Sequence, residues 1–206
     1  MKKIWRCDLK SPCVKFCESE NEKHLCGIRI KDKRNKMLKV ATLFSGIGTP
    51  EQSLKHLQVE HETVFACEID KYARTTYLAN NETPNTFYED VKKLDATKYL
   101  NKIDVLIWGF PCTSFSLAGK QLGFNDPNTG DLFAQGARIM SECKPKISII
   151  ENVEGLLSND KGNTIRTVLR TLNAIGYRVY MDLINTKDYL VPQNRSRVYI
   201  ICERKD

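Results

Sequence analysis

Apolar residues fall along this chain in short runs, separated by stretches in which apolar positions recur every three or four residues. Short runs bounded by turn residues read as buried strands, and the longer periodic stretches read as amphipathic helices. The first run covers residues 40–44 and leads into the turn Ser45-Gly46-Ile47-Gly48. Pro50 then opens a helix at a position where its missing N–H costs nothing. A second strand is predicted over 63–68, a helix over 71–80 and a short strand near 86–88. The strand at 103–108 runs into Gly109-Phe110-Pro111. Beyond it the pattern predicts a helix over 131–143, a strand at 147–150, a helix over 163–174 and two closing strands at 177–184 and 197–202. Strands alternating with helices predict an α/β fold with an open, mostly parallel, seven-stranded sheet. Such sheets bind ligands at the carboxyl ends of their strands, so the residues just after each strand are the candidates for chemistry.

After the first strand, Phe44-Ser45-Gly46-Ile47-Gly48 lets the backbone turn tightly and approach a bound molecule. Glu68 after the second strand is placed to accept from a ribose diol, and Asp90 after the next could accept from an adenine amino group. Each acid alone also reads as a solvated strand end; together with the turn, in this order, they point to a nucleoside cofactor. Cys112 follows a strand, a glycine and a proline, in a loop of hydroxyls and an aromatic, which presents a thiol to a cleft. Cys67, Cys143 and Cys202 fit the ordinary description of cysteine as a small buried hydrophobe. Glu151-Asn152-Val153 follows the next strand and reaches the same cleft. Arg195 and Arg197, within Gln193-Asn194-Arg195-Ser196-Arg197, bring two guanidinium groups that would lower a thiol pKa and bind a polarised carbonyl.

Composition changes this picture in one respect. The chain has 206 residues and a formal net charge of +7. Residues 1–39 hold 12 Lys/Arg against 5 Asp/Glu, so the whole excess sits in an N-terminal arm and the remainder is neutral. The division expected is a basic, cysteine-rich arm over 1–38 and one α/β domain over 39–206. A basic arm can approach phosphates or be only a solvated tail. Cys7, Cys13, Cys17 and Cys26, with His24 nearby, would suit a tetrahedral zinc, although their spacing is not that of paired C-x-x-C motifs. The other reading is a loosely ordered extension. No run approaches the roughly 18 apolar residues of a membrane span, and the start MKKIWRCDLK lacks a signal peptide's apolar stretch. The expected location is cytoplasmic, with mostly reduced thiols.

The segments FSGIG (44–48), Glu68, Asp90, GFPCTSFSLAGKQLGF (109–124), ENV (151–153) and QNRSR (193–197) together resemble the cytosine carbon-5 DNA methyltransferases, from about residue 39 to 204. The resemblance implies a Rossmann-like methyltransferase fold and S-adenosylmethionine as cofactor. It implies a cofactor site of Phe44, Gly46, Gly48, Glu68, Ile69, Asp90, Pro111 and Leu132. It also implies that the Cys112 thiolate adds to carbon 6 of cytosine while Glu151 hydrogen-bonds or protonates ring N3. Carbon 5 then takes the methyl group, and loss of its proton and of the thiol releases the product. Arg197, with Arg195 nearby, would hold the cytosine carbonyl. Ser116, Lys120, Gln121, Asn152 and Gln193 are the implied substrate contacts. The base must be flipped from double-stranded DNA to reach the thiol.

Two departures from the family's pattern stand out. Thr42 and Pro50 flank the glycine turn where members often carry Asp and an aromatic or apolar residue. Members also continue past the last strand into a target-recognition domain and a final motif, whereas this sequence reaches Asp206 directly after it. A second subunit carrying the reader, a truncated domain, or recognition through the basic arm would each account for this. The function expected is DNA cytosine-5 methylation in a restriction–modification setting, with RNA cytosine methylation or a non-catalytic cofactor- or partner-binding module as the alternatives.

Overall fold

In the computed structural model, which describes residues 37–110 and 132–206, the first strand β1 (Leu38–Leu43) is an inner strand of a seven-stranded sheet. The others are β2 (His61–Cys67), β3 (Phe87–Tyr88), β4 (Val105–Trp108), β5 (Ile147–Val153), β6 (Tyr177–Asn185) and β7 (Ser196–Arg204). Their spatial order is β3-β2-β1-β4-β5-β7-β6. Pairs from β3 to β5 are parallel, and β7 runs antiparallel to both β5 and β6. Chain order reverses between β1 and β4, which makes the crevice beyond their carboxyl ends the place for a ligand.

Helices α1 (Thr49–His56), α2 (Lys71–Asn80), α3 (Leu132–Cys143), α4 (Gly155–Ser158) and α5 (Asn163–Ala174) connect the strands. Helix α1 follows left-handed Gly48 and carries Pro50 in its first turn. Asp70 caps α2 by accepting the Ala73 N–H at 2.7 Å. Leu43, Phe65, Leu106, Ile150 and Ile200 of the sheet are buried with Ile139, Met140, Val168 and Leu172 of the helices. Each such side chain contributes roughly 1.5–3 kcal/mol by leaving water. Met37–Asp206 is one compact unit. The arm cysteines Cys7, Cys13, Cys17 and Cys26, and the loop residues Pro111, Cys112, Ser116, Lys120 and Gln121, lie outside the described residues.

Trp108 fixes the end of β4. Its indole Nε1 donates to the buried Ser148 Oγ at 3.0 Å, and its ring stacks on Phe133 with centroids 6.0 Å apart. Gly136 makes room for it: a Cβ there would stand 2.2 Å from the indole. The strand therefore ends against α3 through a contact that only glycine permits, three residues before Pro111.

Candidate active site

The turn after β1 begins with Phe44, which adopts a left-handed conformation at φ 52°. This is uncommon for a residue with a bulky side chain. Its ring lies 6.5 Å from Trp108, centroid to centroid. Ser45 holds the turn against β2: its N–H donates to the Cys67 carbonyl at 3.0 Å, and the Cys67 N–H donates to Ser45 Oγ at 3.2 Å. Gly46 is left-handed as well, at φ 54°, and a Cβ on it would meet nothing within 4 Å. The turn thus presents bare backbone to open space.

Glu68 lies beside it. Its Oε2 accepts the Gly46 N–H at 2.8 Å and its Oε1 accepts the Asp70 N–H at 2.9 Å. Both oxygens keep a second lone pair for an incoming hydroxyl. Arg74, on α2, donates to the Glu68 and Ile69 carbonyls at 3.0 and 2.7 Å and pairs with Glu89 at 3.0 Å. That clamp holds Ile69 with 74% of its surface exposed, an apolar platform with no partner in the core. Asp90 accepts the Lys92 N–H at 2.9 Å and caps a short 3-10 turn. Leu132, at the start of α3, packs half-buried on the core.

On the other side of β4, Glu151 lies within β5 rather than after it, because β7 extends the ladder to Val153. Cross-strand pairing puts Glu151 opposite Tyr199, on the same face as Arg197 two residues away. Arg197 Nε meets Glu151 Oε1 at 2.9 Å. Gly109 sits against this carboxylate, and a Cβ there would be 3.1 Å from Glu151 Oε2. Burial first, then the Glu151 charge, raises the Tyr199 phenol above its ordinary value, while Arg195 and Arg197 pull it down. Both arginines therefore act on this one locality.

Asn152, expected to touch substrate, is buried instead. Its Nδ2 donates to the Phe110 carbonyl at 3.1 Å and its Oδ1 accepts the Val153 N–H at 2.9 Å. Its amide fastens the segment that leads to Cys112, so a substrate contact would have to displace these bonds. Gln193 is exposed, in a segment tied by Thr186 Oγ1 to its carbonyl at 2.6 Å.

The family that this geometry points to is met in comparison with known proteins. Residues 38–206 match the family described as C-5 cytosine-specific DNA methylase. The chain belongs to that family. It is 44% identical over 170 residues to the orphan methyltransferase M.Rho11sI of Bacillus phage rho11s, covering 82% of this chain and 33% of that one. It is 40% identical over 180 residues to the type II methyltransferase M.HhaI of Haemophilus parahaemolyticus, covering 87% and 53% respectively. The chain thus spans about a third to a half of the length of these relatives. A solved DNA modification methyltransferase from an E. coli prophage superposes with a TM-score of 0.65 at 26% identity, over 81% of this chain and 47% of the other. The S. pombe Dnmt2 methyltransferase, at 22% identity and the same TM-score over 83% and 51%, shares the fold.

The C-5 cytosine methylase fold is Rossmann-like, and S-adenosylmethionine is the family's cofactor. The residues present fit it: the bare Gly46 turn, the Glu68 carboxylate and the exposed Ile69 surround open space at the β1–β2 end. Among the described residues no group of three or more His, Cys, Asp or Glu could hold a metal ion, and no helix is long and apolar enough to cross a membrane. Sequence reading missed Glu51, Arg74 and the Trp108–Ser148–Gly136 contact. A polar Thr42 inside a buried run was the available signal for the first.

Proposed function

We propose that this chain carries the catalytic portion of a DNA cytosine-5 methyltransferase acting on double-stranded DNA. The observation that carries the reading is the Glu151–Arg197 pair set against Gly109, three residues before Cys112. A carboxylate, a guanidinium and a thiol in one cleft are the groups that activate cytosine: the thiol adds to carbon 6, the carboxyl group serves N3 and the guanidinium serves the carbonyl. Asn152, beside Glu151 on β5, holds the Phe110 carbonyl, and Trp108 anchors the end of β4 to Ser148. Bound S-adenosylmethionine supplies an electrophilic methyl group. Phe44, Gly46, Gly48, Glu68, Ile69, Asp90, Pro111 and Leu132 form its site. Arg195 assists Arg197, while Ser116, Lys120, Gln121 and Gln193 contact the DNA. The identity to a type II methyltransferase supports a restriction–modification setting, and a reducing cytoplasm would keep Cys112 active.

The test is transfer of tritiated methyl groups to unmethylated DNA of mixed sequence, with and without extract of the source cells, beside Cys112→Ala. Label in DNA that is lost in the variant is the expected result, whether it forms with the chain alone or with extract. Transfer RNA as parallel acceptor distinguishes the nucleic acids, and absence of label from every arm would overturn the catalytic reading.

A further inference from the structure

Glu51, in the first turn of α1, is 4% exposed and lies behind the glycine turn. Its Oε1 accepts from Thr42 Oγ1 at 2.9 Å and from the Tyr77 hydroxyl at 2.8 Å. Its Oε2 is buried with no hydrogen-bond partner among the described residues. Thr42 Oγ1 stands 2.8 Å from Ser45 Oγ, which also donates to the Cys67 carbonyl at 3.1 Å. Two side-chain contacts therefore connect the carboxylate to the residue before Gly46. Gly48 closes the same cluster, packed so tightly that a Cβ would lie 2.1 Å from Asn81 Nδ2 and 2.9 Å from the Tyr77 ring.

A buried carboxylate with one oxygen unmatched is costly, and no cation faces it among the described residues. The N-terminus of α1 favours a negative charge there. The same turn borders the open space beside Gly46 and Glu68. We propose that Glu51 positions the 44–48 turn and sets a negative charge behind it, so that the site prefers the cationic sulfonium of S-adenosylmethionine to the neutral thioether of S-adenosylhomocysteine. This rests on the cofactor reading above. Product release then benefits, because removal of the methyl group removes the charge that the carboxylate attracts.

Isothermal titration of both ligands tests it without any turnover. In Glu51→Gln the affinity for S-adenosylmethionine falls about tenfold and that for the homocysteine compound about threefold or less, so their ratio drops. A purely structural role would weaken both equally. Two double variants keep the test open should that variant misfold: Thr42→Asp with Glu51→Gln returns a charge to the cluster, and Thr42→Asn with Glu51→Gln is its neutral isostere. The charged one recovers the ratio and the neutral one does not. Equal ratios in the two double variants, or an unchanged ratio in Glu51→Gln, overturn the proposal. Failure of the unaltered chain to bind either ligand is a different result, which removes the cofactor reading and this inference with it.

Discussion

Arg197 Nε stands 2.9 Å from Glu151 Oε1, although the two residues are diagonal rather than direct partners across the β5–β7 ladder. The carboxylate side chain keeps 39% of its surface exposed and the guanidinium 20%. A pair so open to water adds little to stability. Arg197→Ala is expected to change the unfolding free energy by less than about 1 kcal/mol, yet to reduce methyl transfer by about a hundredfold. Glu151→Gln should lose at least about a hundredfold as well, with cofactor affinity unchanged. Denaturant melts and the tritium assay give both readings, and near-normal transfer by Arg197→Ala would remove it from the chemistry.

Gly46 and Gly48 are both left-handed, but their surroundings differ. Alanine at 46 meets no neighbour and bears only the backbone penalty, about 1–2 kcal/mol. Its methyl group would project into the space assigned to the cofactor, so ligand binding suffers more than folding. Alanine at 48 strikes Asn81 and Tyr77 and should destabilise the fold more strongly. Thermal melts beside titration of S-adenosylmethionine distinguish the two, and equal behaviour of the variants would contradict this division of roles.

Gly136→Ala pushes a methyl group into the Trp108 ring, where the nearest atoms would be 2.2–2.6 Å away. The expected cost is about 1–3 kcal/mol. Displacing Trp108 also disturbs Gly109 and Phe110, so near-ultraviolet circular dichroism should change together with the melting temperature. A spectrum and a melt like those of the unaltered chain would show that the contact relaxes freely.

Much of the fold was legible because local signals agreed. Helices α2 and α5 occupy the residues expected, 71–80 and 163–174, with Asp70 capping one and Gly176 following the other. The boundaries that moved did so for tertiary reasons. β1 stops at Leu43 because Phe44 turns left-handed, and β5 continues through Glu151 and Asn152 because β7 pairs with them. Pattern alone treats those polar residues as a strand end; the ladder satisfies their backbone, and Phe110 satisfies the Asn152 amide. The insertion of β7 between β5 and β6 is likewise invisible to periodicity. Glu51 read as an ordinary helix position, since its burial depends on Thr42 and Tyr77 from two other elements.

Cys67, Cys143 and Cys202 are buried, and burial pushes each thiol from its ordinary 9.0 up to about 12. A raised value in the folded chain means that stability is fully present below pH 9 and is lost as pH climbs towards 12. Each thiol then contributes up to about 1.4 kcal/mol per pH unit to the slope. Cys202, whose shift comes from burial alone, is the cleanest to check. Cys202→Ala should show a shallower decline between pH 9 and 11 in denaturant titrations, and an identical decline would refute the assignment. At pH 8 a thiol reagent should leave all three unlabelled until the chain unfolds.

The place of β7 has a consequence for the chain during its synthesis. Glu151 emerges from the ribosome more than forty residues before Arg197, and β6 is made before the strand that must separate it from β5. The two older strands have to leave a gap, or reopen one, for the youngest to enter. Until it does, the carboxylate has no guanidinium beside it and the cleft lacks one of its walls. A nascent chain can therefore fold its glycine turn early, while the Glu151–Arg197 pair waits for β7 to enter.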